Sequence, residues 1–357
     1  MSICRFYYQN LLSDPAQVTV SSARPGMVGM PVAKAQGTAV AYAAGQHQGG
    51  QDQVFVVEID SVAAGEGVGQ ATFRWRRASL ADWERRGLPT QRQFLDLADG
   101  VRVKWVSGQG PDFARGDSWS ILAGRNQGPA LLLDRDRDTT WQAQGCQSES
   151  LSLDLGASRP VAALLLADHN LSDQARVSLL AGDQPDQWQA PSFSQELAIT
   201  RPHLCAWPGA SYRYWRLVLE DPQNQDGSLS ASLLYLGDYF QPSRMFAAPY
   251  GRTWLAGRST TATDAGKVAG STRGLAQSWR VCFRGLDQGD VAGFQALYQA
   301  INDPVRGRLN PLFFTPFDDD PSGTLYCLPG ASLTPVYQHL GSYALDLELE
   351  EVVRTHV

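Results

Sequence analysis

Nearly every periodic segment of this 357-residue chain alternates apolar and polar residues with a period of two. Tyr343 to Glu350 places Tyr and Leu at one set of alternate positions and mostly acidic residues at the other. Ala71 to Arg76 and Val101 to Trp105 repeat the alternation with Thr, Arg and Lys. Because successive strand side chains point to opposite faces, these segments predict half-buried antiparallel strands. Gly, Asn, Asp and Pro interrupt the runs at short spacing, which favours a mainly β chain with sandwich or barrel architecture.

The length and composition predict two or three folded domains. Hydrophobic residues make up 43% of the chain and ten residues are Trp, which is enough apolar material for several cores. Charged residues make up only 18%, which argues against long disordered stretches. The net charge is −6 and no block of basic residues is present, so nucleic acid is not expected as a partner.

The five cysteines are far apart and none forms a Cys-x-x-Cys pair. This spacing predicts reduced, buried thiols in a cytoplasmic setting and no zinc site. The first ten residues lack the basic and apolar regions of a signal peptide. No apolar run approaches the ~20 residues of a membrane-spanning helix, so membrane insertion is not expected.

Residues 1–127 are predicted to form an N-terminal β domain. Its expected strands are Val54 to Ile59, Ala71 to Arg76, Val101 to Trp105 and Trp119 to Ala123. Ala33 to Gln51 is rich in Ala, Gly and Gln, which indicates a mobile loop or extended arm. Ala81 to Leu97 has apolar residues among Arg and Glu, as in a short helix.

Residues 243–357 are predicted to form a C-terminal α+β domain with one helix. The helix is expected over Asp290 to Asn302, with Asp290 as its cap and Asp303-Pro304 as its end. Its apolar face would carry Val291, Phe294, Leu297, Tyr298 and Ile301. Gly257 to Gly274 is rich in Gly, Ser, Thr and Ala, which indicates a flexible loop or an edge segment.

Residues 128–242 contain about eight short strands, which predicts a central β-sandwich of jelly-roll type. Three segments follow one another along this part of the chain: Asp138-Thr139-Thr140-Trp141, then Asp154-Leu155-Gly156, then Tyr212 to Leu217. In this order and spacing the domain resembles the galactose-binding-like, or discoidin, family. The resemblance covers about a third of the chain and implies a jelly roll that presents ligand-binding loops.

A second resemblance concerns the two flanking domains. Gly69 to Arg76, Leu97 to Val103 and Asp112 to Trp119 are similar to a pattern of bacteriophage tail and tail-fibre proteins. The C-terminal section resembles distal tail or tail-tip components in Trp279 to Val281, the helix, Asn310 to Phe314 and the terminal acidic strand. This resemblance implies an assembly protein that carries the central domain as an inserted module. The N-terminal region departs from the pattern of distal tail proteins.

Two acidic segments raise the question of metal binding. Asp134, Asp136 and Asp138 alternate with two Arg, and alternate carboxylates are typical of calcium loops. The segment lacks the Gly and distal Glu of an EF-hand and the Arg residues repel a cation, so a solvated turn is favoured over a structural ion. Asp318 to Asp320 precedes Pro-Ser-Gly and is best interpreted as an exposed turn. No metal and no cofactor are expected.

The candidate ligand contacts lie in the central domain. Trp188, Trp207 and Tyr212 fall in loop-like segments, and aromatic rings can stack on sugars. Asp168 and His169 follow an apolar strand and are expected at a loop on the edge of the sandwich, although His169 is favoured as a turn or cap residue. Trp141 and Trp215 are expected in the core. No nucleophile, second acid or phosphate loop accompanies these residues, so no catalytic residue is predicted.

The favoured hypothesis is a non-enzymatic structural protein of a phage tail tip or baseplate, located in the virion and assembled in the host cytoplasm. Its expected partners are other copies of itself in a ring or trimer, other tail proteins (tube, hub and fibres) and a host-surface glycan. The alternative is a free, lectin-like carbohydrate-binding protein or a module associated with a glycoside hydrolase. That alternative is weakened because no pair of carboxylates suited to glycoside hydrolysis can be identified.

Overall fold

The computed structural model describes residues 3–262, 268–304, 307–339 and 341–354. The chain is mainly β, with 48% of residues in strands and 7% in helices. It divides into two compact units, Ala23–Gly128 and a larger unit of Met1–Ser22 with Pro129–Val357. The three-part division at residues 128 and 243 stays a prediction.

The strands are numbered in chain order. Those before and within Ala23–Gly128 are β1 Arg5–Tyr7, β2 Val18–Val20, β3 Gly26–Met27, β4 Val32–Lys34, β5 Val40–His47, β6 Gln53–Ser61, β7 Thr72–Arg77, β8 Arg85–Pro89, β9 Leu95–Asp96, β10 Val101–Val106 and β11 Ser118–Ala123. The next are β12 Trp141–Gln142, β13 Glu149–Val161, β14 Ala163–Ala167, β15 Arg176–Gly182, β16 Phe193–Leu197, β17 His203–Ala206, β18 Ala210–Glu220, β19 Ser230–Ala231 and β20 Leu233–Gly237.

The remaining elements belong to the C-terminal part of the larger unit. Its strands are β21 Ala247–Ala262, β22 Val268–Leu286, β23 Asn302–Asp303, β24 Arg308–Leu309, β25 Leu312–Thr315, β26 Leu325–Pro329, β27 Val336–His339 and β28 Ser342–Glu351. The α-helix, α1, spans Gln288–Ile301. Short 3-10 helices span Pro15–Gln17, Pro129–Leu132 and Pro321–Gly323. Within the described residues, no helix has both the length and the apolar composition needed to cross a bilayer.

Ala23–Gly128 forms two antiparallel sheets, ordered β3-β5-β10-β9 and β4-β11-β6-β7-β8. Aromatic residues on alternate strand positions fill its core, including Phe55, Phe73, Trp105 and Trp119. β6, β7, β10 and β11 confirm the four strands predicted here from alternation. The period-two pattern was sufficient because one face of each strand is buried.

Two other predictions for this unit were wrong. The Ala-rich segment Ala33 to Gln51 is not a loop throughout, because β5 pairs with β10 and its small Ala41 side chain is buried in the core. Ala81 to Leu97 is not helical and contains β8 and β9. Gly87, with φ of 66°, and Pro89 both disfavour a helix there.

The central part of the larger unit is an antiparallel β-sandwich of jelly-roll type, as predicted. One sheet has the order β16-β15-β18-β13-β2 and the other β17-β14-β20. Trp141 and Trp215 are fully buried, which confirms their expected place in the core. β2 adds a fifth strand from the start of the chain, and Glu149 accepts hydrogen bonds from the hydroxyls of Ser21 and Ser22 just after it.

A further sheet in the larger unit, the C-terminal sheet, has the order β1-β25-β26-β28-β22-β21, with β27 beside β28. Helix α1 packs its apolar face on this sheet, and Phe294, Leu297 and Ile301 are buried as predicted. The predicted cap was wrong by one turn. Asp287 caps the helix by accepting from the Asp290 N–H, and the buried Asp290 carboxylate accepts from the Asp287 N–H in return.

Gly257 to Gly274 lies largely within two strands, so the edge-segment alternative fits it better than a flexible loop. β21 is the edge strand of the C-terminal sheet and pairs with β22 from Ala247 to Ala262. Residues 263–267 of this segment lie outside the described residues.

Candidate functional site

The sandwich contains a buried ion pair between Arg137 and Asp168. Arg137 Nε donates to Asp168 Oδ2 at 2.8 Å, and Arg137 Nη2 donates to Oδ1. The two side chains are only 7% and 6% exposed. Asp168 also accepts from Ser232 Oγ at 2.7 Å and adopts a left-handed backbone with φ of 50°. Its carboxylate is therefore fully engaged at the end of β14.

Arg137 also reaches the last strand of the C-terminal sheet. Its Nη1 donates to the carbonyl of Val352, and Glu351 Oε1 lies 3.8 Å from the same nitrogen. Burial raises the pKa of Asp168, but the hydrogen bonds and charge of Arg137 outweigh burial and hold the pKa below its ordinary value. Burial raises the pKa of Glu351. The cluster thus fastens the sandwich to the C-terminal sheet.

Two histidines lie beside this cluster. His203 is completely buried, and burial lowers its pKa to about 3. Its Nδ1 accepts from the Asp168 N–H at 3.4 Å, while Nε2 is buried without a hydrogen-bond partner. His169 Nε2 is 2.9 Å from the carbonyl of Thr200, and Nδ1 accepts from the Leu171 N–H. The two imidazoles are thus held inside the fold.

Asp168 and His169 follow β14 as the sequence suggests, but their side chains are buried instead of open at a loop edge. The predicted aromatic contacts do not join them. Trp207 donates from Nε1 to the Tyr7 hydroxyl at 3.0 Å and packs in a core beside β1. Trp188 stacks over Arg216, with 5.6 Å between the guanidinium carbon and the ring centroid. The hydroxyl of the half-buried Tyr212 contacts the Ser192 carbonyl at 3.5 Å.

Sequence inspection missed a polar cleft at one end of the sandwich. It has a volume of about 560 Å³ and is lined by residues 170–174, Arg201 and residues 223–226. Asp221 beneath it accepts from the backbone and hydroxyl of Ser172 and from Asn224 Nδ2. The exposed side chains of Asp173, Arg201 and Gln223 are polar groups of the kind that bind hydroxyl groups of a ligand. Clustered Asn, Asp and Gln over 221–226 was the available sequence signal.

The alternating acidic segment forms a local turn. Asp134 accepts from the Asp136 N–H and the Thr139 hydroxyl, and Asp136 accepts from the Asp138 N–H. Arg137 in the same segment points inward to Asp168. In the part of the chain that the structure describes, no cluster of three or more His, Cys, Asp or Glu side chains is placed to hold a metal ion.

The C-terminal sheet extends into a two-stranded ribbon, defined as residues 254–262 of β21 and 268–277 of β22. β28 pairs with β22 only from Ser278 to Leu286, so the ribbon strands pair with each other and not with β28. Trp254 and Leu275 are 55% and 62% exposed. Arg252 lies between the rings of Trp254 and Trp279, at 4.6 and 5.4 Å from their centroids.

No protein-family model matches the chain, and a search of curated proteins finds no match. Among solved structures, a fucose-binding module of Streptococcus pneumoniae is 15% identical, with a TM-score of 0.25 over 31% of this chain and 84% of that one. A striped bass (Morone saxatilis) serum f-lectin is 11% identical, with a TM-score of 0.25 over 64% of this chain and 88% of that one. A glycoside hydrolase structure is 8% identical, with a TM-score of 0.24 over 58% of this chain and 59% of that one. These likenesses are too weak to assign a function, and the sandwich is defined by its own sheet order.

Proposed function

We propose that this chain is a non-enzymatic structural component of a phage tail tip or baseplate. It associates with copies of itself in a ring or trimer and contacts the tail tube, hub or fibres. The sandwich contacts a host-surface glycan or a neighbouring tail protein. The protein is assembled in the host cytoplasm without membrane insertion or bound nucleic acid, and it resides in the virion. The ribbon and the sequence resemblance of the flanking segments support this proposal.

The ribbon is the observation that carries the proposal. At about 3.3 Å per residue, Trp254–Ala262 spans roughly 30 Å. Isolated two-stranded hairpins are at best marginally stable in water, because they bury too little apolar surface. The ribbon's strands are long and expose large apolar side chains. A partner that covers them would stabilise it, as expected for an assembly protein.

The direction of the ribbon side chains strengthens the argument. Arg252 pairs with Trp279, Trp254 with Gln277, and Ala256 with Leu275. Alternation places Arg252, Trp254 and Leu275 on one face of the hairpin, the same face on which Trp279 enters the core of the C-terminal sheet. The apolar face of the sheet therefore extends to the base of the ribbon, where Trp254 and Leu275 are exposed. A subunit contact would cover that face.

The polar cleft supports the glycan part of the proposal. The amides of Asn170 and Asn224 hydrogen-bond within the protein and hold the loops of the cleft in place. Gln223 is exposed in the cleft, and Arg201 and Asp173 form an exposed ion pair there. Sugar recognition uses such convergent polar groups to fix the orientation of hydroxyls. The same cleft favours the second candidate function, a free carbohydrate-binding protein that acts outside a virion.

Immunogold electron microscopy of purified phage particles, with antibodies raised against the full chain, tests the location. Gold at the distal end of the tail is expected. Particles without label, together with full chain that binds glycans on an array as a monomer, would overturn the tail-tip proposal in favour of the free lectin.

A further inference from the structure

Ala23–Gly128 exposes an apolar surface, here called the Met patch, which consists of Met27, Met30, Val32 and Leu122. These side chains are between 58% and 81% exposed. The segment that carries Met27, Met30 and Val32 runs alongside β11, which carries Leu122. The Gly124 N–H donates to the Met27 carbonyl at 2.8 Å, the Gly29 N–H donates to the Leu122 carbonyl at 2.7 Å, and β4 pairs with β11 from Lys34 to Val32. Four large apolar side chains on one small surface are unusual in a monomeric protein and indicate an interaction site.

The Met patch adjoins an open strand edge. β4 is the terminal strand of its sheet, and Val32, Ala33 and Lys34 are all exposed. An edge strand presents backbone donors and acceptors to an incoming strand, and unbranched Met side chains adapt to the residues that such a strand brings.

The size of the patch indicates a macromolecular occupant. Its four side chains expose on the order of 500 Å², near the upper range for single proteins. A standard protein interface buries about 800 Å² on each partner, so this patch would supply most of one side.

We propose that the Met patch of one copy receives the ribbon of a second copy. The proposal rests on the self-association proposed above and specifies its contact. Among the described side chains, the ribbon exposes the large apolar residues Trp254 and Leu275, and the Met patch is an exposed apolar surface at a terminal strand. Trp254 and Leu275 supply one face of the contact and Met27, Met30, Val32 and Leu122 the other.

Such a contact is heterologous, because the two surfaces differ. Each copy then donates one ribbon and accepts another, which generates a closed ring or an open filament instead of a symmetric dimer. A contact of the Met patch with itself would instead give an isologous dimer and leave the ribbon uncovered.

Two double variants of the full chain test the contact: a ribbon variant, Trp254→Ser with Leu275→Ser, and a patch variant, Met27→Ser with Met30→Ser. Light scattering measures the mass of each variant alone and of an equimolar mixture. Val336→Ser and Leu80→Ser remove exposed apolar side chains elsewhere and serve as controls. Circular dichroism confirms that each variant is folded, and Leu122→Asn provides an independent patch variant.

Each variant alone is expected to remain monomeric, while the mixture forms pairs, because one intact ribbon meets one intact patch. The controls assemble as the unchanged chain does. If the ribbon variant is monomeric but both patch variants assemble normally, the Met patch is not the receptor and the self-association proposal still stands. If the unchanged chain is itself monomeric, both proposals fail. If only the patch variants lose assembly, the contact is between patches and the ribbon docking is wrong.

Discussion

Arg137 binds Asp168 through two parallel hydrogen bonds across 31 residues of sequence, and the same guanidinium holds the carbonyl of Val352. One side chain thus joins the start of the sandwich, the end of β14 and the last strand of the C-terminal sheet. Removal of one partner from a buried ion pair is costly, because the other charge stays buried without compensation.

Arg137→Met is therefore expected to lower the free energy of unfolding by about 3–5 kcal/mol. Urea denaturation of the full chain measures the change. Arg213→Met is the matched control, since Arg213 pairs with Asp154 on the surface, and it should change stability little. The double variant Arg137→Met with Asp168→Asn should recover much of the loss, because Asn carries no charge and tolerates the left-handed backbone. If Arg137→Met alone lowers the free energy of unfolding by less than about 1 kcal/mol, the stabilising role of Arg137 is contradicted.

Acid is expected to destabilise the fold through His203. Its pKa is about 3 in the folded chain, below the ordinary 6.5. Between these values the unfolded chain binds a proton that the folded chain does not, so the free energy of unfolding falls as the pH drops. Asp168 acts in the same direction below its ordinary pKa of 3.8, and Glu351, whose pKa is raised, acts in the opposite direction.

The variant His203→Gln tests this account through urea denaturation at pH 7 and pH 5. In the unchanged chain, protonation of His203 should lower the free energy of unfolding by up to about 1.4 kcal/mol per pH unit. In the variant, the free energy of unfolding should fall less over the same pH range. His339→Gln replaces an exposed histidine and should keep the full pH dependence. An identical slope in His203→Gln and the unchanged chain would rule out His203 as the source.

Trp207 is expected to stabilise the fold and not to contact a sugar. Trp207→Phe removes the hydrogen bond to Tyr7 and should cost about 1 kcal/mol, the usual net worth of such a bond. Tyr7→Phe loses the same bond, so the double variant should cost less than the sum of the two single variants. A glycan array that loses signal with Trp207→Phe, at unchanged stability, would reverse this assignment.

Helix α1 contains a glycine that its packing requires. A Cβ at Gly293 would lie 2.2 Å from a ring carbon of Phe240. Gly293→Ala gains about 1 kcal/mol of helix propensity, but overpacking of this kind costs about 1–3 kcal/mol. Net destabilisation in a thermal melt is expected, with partial rescue by Phe240→Leu. A raised melting temperature for Gly293→Ala would show that the ring moves aside freely.

The alternation of apolar and polar residues was enough to predict the strands that have one buried and one exposed face. β28 and β7 were read correctly because apolar and charged residues alternate along them. β5 was missed because its inward positions are Ala, which carries too little apolar signal to distinguish a strand from a loop. The N-terminal β2 was missed because its partner, β13, lies more than 130 residues away in sequence.

The candidate site residues were also hard to predict, because their surroundings come from distant parts of the sequence. The sequence predicted that Asp168 and His169 follow an apolar strand, and this is correct. It also predicted that their side chains are open at a loop edge, but both side chains are buried. Burial of Asp168 depends on Arg137 and Ser232, which arrive from other parts of the chain. The ribbon was visible only as a Gly-, Ser- and Thr-rich segment, because its strands are set by the pairing of β21 with β22, while β28 pairs with β22 only from Ser278 onward.

The central claim is that the ribbon holds copies of this chain together. The most direct test compares the mass of the full chain in solution with that of a variant in which residues 254–277, which include Trp254 and Leu275, are replaced by Asn-Gly. Thr253 and Ser278 are paired, so a two-residue turn can close the shortened hairpin. The full chain should scatter light as a multimer of its 38.9 kDa mass and the variant as a folded monomer. A monomeric full chain at every concentration, or a shortened chain that assembles equally well, would contradict the claim.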